Sequence, residues 1–323
     1  MVSAVRPLPH AVHIAPPDLS RWRESPSGVE FVHELDSGRR GADVLVTALV
    51  HGNEYAGALA VDALLRKGVK PRRGRLTFAF CNVAAFARFD PSNPDASRFV
   101  DEDFNRVWSR DRLGGPAASV ELRRAREIRP FVDRATHLLD LHSMHEPGPP
   151  LLMTGPLERN IAFARSLGTS DRVVADEGHA DGVRMRDYGP FADPAGDRIA
   201  LLLEAGQHWE AGAAQVARNV LMRFLVLAGA LDRQDIALGW LLPDAVPSDP
   251  VAVTHRVVAT SMNFRFTRKL VGGEIIAQAG TPIADDEGRP VLTPYDDCVI
   301  VMPSTRQLRP GVTVVRLGRA IPA

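Results

Sequence analysis

The chain has 323 residues, 45% hydrophobic and 24% charged, enough apolar surface for one large core and a smaller appendage. Its 39 basic and 39 acidic residues cancel, which gives no ground for a nucleic-acid or anionic-membrane partner. Residues 1–17 lack an apolar secretory core and no run approaches the roughly 18 apolar residues of a membrane span; with Cys81 and Cys298 far apart in apolar runs, the expectation is a cytoplasmic protein with two buried free thiols.

Residues 29–35 alternate like an edge strand, and 38–41 form a turn. Residues 42–50 are then almost continuously apolar, as in a strand covered on both faces, and the run stops on His51-Gly52-Asn53-Glu54. Residues 54–65 read as a helix closed by Gly68. The imidazole and the carboxylate thus meet at a strand-to-helix turn, where open α/β sheets keep their binding crevice, close enough to grip one ion. Alone, such a pair is more often a satisfied histidine beside an acidic helix start.

Residues 75–83 predict a second core strand, leading into a polar loop over 90–112 that is too long for an idle connection. It holds Arg98, Asn105 and Arg106, two guanidinium forks and an amide suited to a carboxylate and a polarised carbonyl, although a surface salt-bridge loop has the same composition. Residues 116–134 read as a helix whose arginines form one solvated face. The stretch 136–145 is again an apolar strand ending on histidine. His142 is the natural third ligand, with Asp140 on the same face to orient it and His145 as a rival. A His2Glu set leaves the fourth position to water, the pattern of a catalytic zinc.

A strand over 151–155, a helix over 157–167 and a brief strand over 172–175 precede a second long loop, 176–197. The last core strand, 199–207, carries Glu204 near its end, an acidic residue that is costly there unless paired or functional. Beside a metal-bound water it becomes a general base with a raised pKa. A long helix over 208–231 follows, and from 237 onward prolines and glycines separate short strands. The domains expected are therefore an α/β catalytic unit over residues 1–235 and a β-rich unit over 236–323.

Together, His51-Gly-Asn-Glu54, the loop Arg98-Phe-Val-Asp-Glu-Asp-Phe-Asn105-Arg106, the strand Asp140-Leu-His142 and Leu-Glu204-Ala-Gly resemble the succinylglutamate desuccinylase/aspartoacylase family of carboxypeptidase-like zinc hydrolases, across residues 42–210. The resemblance implies a mixed sheet flanked by helices, with a smaller C-terminal all-β domain similar to a barrel-sandwich module. It implies one zinc ion on His51, Glu54 and His142, with Glu204 activating the water and passing its proton to the leaving amine. It also implies Arg98 polarising the scissile carbonyl, and Asn105 with Arg106 holding a substrate carboxylate. In relatives the β domain narrows the entrance and can supply a tyrosine, for which Tyr295 is the candidate and Tyr188 the rival. No lysine occurs in 274–303, which argues against a biotin or lipoate carrier. The expected activity is zinc-dependent deacylation of a small N-acyl amino acid, by a monomer or a homo-oligomer. A metallocarboxypeptidase for short peptides and a non-catalytic zinc-binding protein are the competing readings.

Overall fold

The computed structural model describes residues 10–169, 172–178, 181–237, 239–246 and 248–321; expectations for residues 1–9 lie outside these. Strand β1 (Val32–Asp36) and β2 (Asp43–Ala48) are followed by α1 (Ala56–Arg66), β3 (Arg75–Phe80) and the short helices α2 (Val83–Phe86) and α3 (Arg110–Gly114). Next come α4 (Val120–Arg134), β4 (His137–Met144), β5 (Leu151–Thr154), α5 (Glu158–Ser166), β6 (Val173–Ala175), β7 (Ile199–Gln207) and α6 (Ala211–Leu227). The described residues beyond 235 carry strands only: β8 (Val251–Val258), β9 (Arg265–Phe266), β10 (Ile275–Ile276), β11 (Pro282–Asp286), β12 (Arg289–Leu292), β13 (Cys298–Val301) and β14 (Thr313–Ala320).

The main sheet is mixed, with the order β1-β3-β2-β4-β7-β5-β6-β8-β14-β13-β10, and a second sheet has the order β12-β11-β9. Its centre, β3-β2-β4-β7, is parallel, and β1 closes one edge antiparallel to β3. Alternate residues of the central strands serve opposite faces. Leu139, Leu141, Leu201 and Leu203 pack with Val61 and Leu64 of α1 and Val220 and Phe224 of α6. Leu45, Leu138 and Ala200 pack on the other side with Leu122, Ile128 and Val132 of α4. Two covered faces explain the near-continuous apolar runs, and each fully buried aliphatic side chain contributes about 1.5–3 kcal/mol.

Four local features differ from the sequence expectation. Strand β2 ends at Ala48 because Leu49 takes a left-handed φ of 57° while the N–H groups of Cys81 and Asn82 bind the carbonyls of Ala48 and Leu49. Helix α1 begins at Ala56, so Glu54 lies in the turn before it. Helix α4 begins at Val120, where Ser119 Oγ accepts from Leu122 N. Its arginines are not one solvated face: Arg124 Nε donates to Cys81 O (2.9 Å) and Arg126 Nη2 to Gly115 O (2.6 Å). The C-terminal strands also continue the main sheet, since β8 pairs in parallel with β6 through Val174↔Val251. No helix among the described residues is long and apolar enough to cross a membrane.

Candidate metal centre

The parallel registers bring the strand ends together. Thr47 of β2 pairs with Asp140 of β4, and His142 of β4 pairs with Glu204 of β7. Beyond β2 the chain turns so that His51 Nδ1 lies 2.8 Å from Glu54 Oε1, while His142 Nδ1 lies 2.9 Å from Glu54 Oε2. The ligand atoms of His51, Glu54 and His142 all lie within 4.8 Å of one another and all three residues are buried. Two buried imidazole nitrogens facing one buried carboxylate are a donor set that suits zinc.

The outer nitrogens are also engaged. His142 Nε2 lies 2.9 Å from Asp140 Oδ2, and Asp140 Oδ1 accepts from Thr47 Oγ1 at 2.7 Å. His51 Nε2 lies 2.9 Å from Asp103 Oδ1. With a metal ion bound, a proton on each Nε2, shared with a carboxylate, would leave both Nδ1 lone pairs free for the ion. Burial disfavours charge throughout, yet Asp140 and Glu54 hold the His142 pKa well above its usual value. Glu54, buried between His51 and His142, is held well below the usual carboxylate range. Asp103, partly buried, is held well below the usual carboxylate range by His51 and Arg98.

Glu204 faces the same cavity as His51 and His142, a space of about 440 Å³. Its Oε2 has no hydrogen-bond partner among the described residues. Burial first, and then the charge of Glu54, push its carboxyl up to about 8. Strand residues and loop residues meet here. Arg98 Nη1 donates to Glu54 Oε1 at 2.8 Å, and its Nη2 lies 2.9 Å from His51 Nε2. Its backbone is fixed by Gly52 N, which donates to Arg98 O at 3.0 Å.

Asn105 is held within the protein: Oδ1 accepts from Met185 N at 2.8 Å and Nδ2 lies 3.4 Å from His142 Nε2. Arg106 lines the cavity with one Nη1 on Asn105 O. The expected tyrosine is not brought to the site. Tyr295 does not line the cavity; its hydroxyl meets Thr254 and its ring lies under Arg319, 4.1 Å from the guanidinium carbon. Tyr188 is buried against Trp108, with its hydroxyl toward Asp133 and Arg129. His145 lines the cavity outside the ligand cluster, its Nδ1 3.2 Å from His208 Nε2.

Sequence reasoning missed two acidic residues. Asp103 was one charge among many in its loop, with no spacing to mark it as the partner of His51. Glu121 reads as a helix-surface residue but is fully buried. It accepts from the backbone N–H of Val100 (2.6 Å), Asp101 (3.1 Å) and Glu102 (3.3 Å), and from Asn82 Nδ2 (3.0 Å), so it shapes the loop that carries Arg98.

A family model described as the succinylglutamate desuccinylase/aspartoacylase catalytic domain matches residues 40–225. Succinylglutamate desuccinylases of Burkholderia pseudomallei (strain 1710b) and Burkholderia mallei (strain ATCC 23344) are each 33% identical over 111 residues, 33% of this chain and 30% of those proteins. The aligned chain thus spans under a third of the length of these curated relatives. Among solved structures, the succinylglutamate desuccinylase of Vibrio parahaemolyticus aligns with a TM-score of 0.63 at 16% identity, covering 91% of this chain and 87% of that one. The product-bound ectoine utilization protein EutE (DoeB) of Ruegeria pomeroyi aligns with a TM-score of 0.61 at 19% identity, covering 96% and 92%. At these identities the structures establish the shared fold.

Proposed function

Because this chain belongs to the succinylglutamate desuccinylase/aspartoacylase family, we propose that it is a zinc-dependent amidohydrolase that removes the acyl group from an N-acylated amino acid. The observation that carries the reading is the His51–Glu54–His142 cluster with the unpartnered Glu204 carboxylate opposite it in one cavity. Zinc held by these three residues would lower the pKa of a bound water and draw electron density from an amide carbonyl.

The other steps belong to the chain. Glu204, buried with an open oxygen in the cavity, accepts the proton of the attacking water and delivers it to the departing amine. Arg98 supplies fixed positive charge at the edge of the ligand set, where oxygen charge develops. Arg106 offers a guanidinium to the carboxylate of the amino acid, and Asn105, which lines the cavity beside it and also touches His142, completes that contact.

A small substrate is favoured over a peptide because the C-terminal residues Leu270, Met302, Pro303 and Thr313 line the same cavity and limit its room to about 440 Å³. A purely structural zinc needs no unpartnered carboxylate beside it. Release of free amine from N-acetyl and N-succinyl amino acids by the zinc-loaded protein, beside short peptides, tests the assignment. Turnover of acylated amino acids supports it, and turnover of peptides alone replaces it with a carboxypeptidase.

A further inference from the structure

Three residues that follow Glu204 past a bend grip both segments that carry the ligands. His142 of β4 pairs with Glu204 of β7 but Met144 pairs with Gln207, so β7 holds one extra residue there, and Gly206 takes up the mismatch at φ 116°. Beyond it, Gln207 Oε1 accepts from Trp209 N at 3.0 Å and Gln207 Nε2 donates to His145 O at 3.4 Å. Trp209 Nε1 donates to Asn53 O at 3.1 Å, inside the turn between His51 and Glu54. His208 is fully buried and holds the end of β4. Its N donates to Met144 O at 3.0 Å, its Nδ1 lies 2.8 Å from Ser143 Oγ, and its Nε2 lies 3.2 Å from His145 Nδ1.

None of Gln207, His208 and Trp209 lines the cavity, so any part they take in the reaction passes through the groups they hold. The shortest route runs through Ser143. Its backbone N donates at 3.2 Å to Glu54 Oε2, the oxygen that also lies 2.9 Å from His142 Nδ1. Burial, and then the charge of His145, keep the His208 pKa well below its usual value, so the ring is neutral and has one N–H and one lone pair. Ser143 Oγ has no other hydrogen-bond partner among the described residues, so its hydroxyl donates to His208 Nδ1 and the ring proton stands on Nε2, toward His145. A buried ring nitrogen deprived of that hydroxyl would be left unpaired, which ties the two side chains together.

We propose that His208 is a positioning residue of the metal centre: by holding the Ser143 hydroxyl it fixes the backbone N–H that keeps Glu54 Oε2 in the ligand set. Because His208 follows Glu204 on the same stretch of chain, the same contact sets the general base in register with the ligands. The inference rests on the metal centre of the amidohydrolase reading and deepens it.

Asparagine and glutamine serve as partial imidazoles in the test. An asparagine amide ends near the place of Nδ1, and a glutamine amide reaches that of Nε2. Zinc affinity by chelator competition and the visible spectrum of the cobalt(II)-substituted protein are read for wild type, His208→Asn, His208→Gln, Ser143→Ala and the double variant His208→Gln/Ser143→Ala, with circular dichroism showing that each is folded. The expected result is a loss of about tenfold or more in zinc affinity, with a shifted cobalt spectrum, in His208→Gln and in Ser143→Ala; the double variant loses no more than either, and His208→Asn stays close to wild type. Retained affinity in His208→Gln overturns the role. A double variant whose loss is the product of the two single losses also overturns it, because the residues then act apart. Equal losses in His208→Asn and His208→Gln do the same, since the ring would then only fill space. Wild type that binds no zinc overturns the metal centre and this role with it, whereas zinc-binding wild type beside unaffected variants overturns the positioning alone.

Discussion

Asp140 Oδ2 lies 2.9 Å from His142 Nε2, and both side chains are buried. The carboxylate holds the proton on the outer nitrogen and turns Nδ1 toward Glu54. Replacing Asp140 with Asn keeps the shape and removes the charge, so zinc affinity should fall about 10- to 100-fold with little change in fold. A competition titration with a zinc chelator measures it; equal affinities in Asp140→Asn and wild type would deny Asp140 that orienting role.

Glu204 of β7 is the register partner of His142 on the neighbouring strand β4 and has an open oxygen. Glu204→Gln should keep wild-type zinc stoichiometry and lose about two to four orders of magnitude in kcat. Retained turnover in a metal-replete sample removes Glu204 from proton transfer.

The same residue governs the pH dependence of the metal-free protein. Burial and Glu54 raise its carboxyl from 4.5 to about 8, so the folded chain favours the protonated acid. That contribution to stability is complete below the unfolded value and is lost as pH rises through the folded one. His142, held above its usual value chiefly by Asp140 against the effect of burial, loses its contribution in the same direction. His208, His145 and His137, held below their usual values by burial, act in the opposite direction, so the readout is a difference: the melting temperature of chelated wild type relative to Glu204→Gln should fall from about pH 5 to about pH 8. A difference that stays level or climbs across this range contradicts the assignment.

Gly52 has no room for a side chain: a Cβ would meet Ser97 O at 2.4 Å and Ala85 C at 2.5 Å, both backbone. Gly52→Ala should cost about 1–3 kcal/mol or more in denaturant unfolding and displace the Arg98 loop. Wild-type stability in the alanine variant would show that the turn yields freely.

Glu121 is the buried counterpart of that turn, accepting three consecutive backbone N–H groups. Loss of its charge in Glu121→Gln should cost about 1–3 kcal/mol and loosen the loop. Proteolysis between residues 98 and 106 is the readout, and unchanged resistance speaks against the role.

The strand tips were legible because each central strand is apolar on both faces. A histidine or glutamate ending such a run stands out, as His51, His142 and Glu204 do. The single long sheet was not legible, since the pairing of β6 with β8 joins Val174 to Val251 across the sequence and leaves no local pattern. The contact of Asp103 with His51 depends on a loop folding onto the site, which no periodicity records. The tyrosine expectation came from resemblance alone, and here Tyr295 packs with Thr254 and Arg319 instead.

The most direct test is the zinc content per chain of purified wild type and of His142→Ala after both are equilibrated with the same limiting zinc. One tightly held ion is expected in wild type and a large loss in the variant. Equal zinc in the two proteins would contradict it, because His142 would then be no ligand and the cluster with His51 and Glu54 no metal centre.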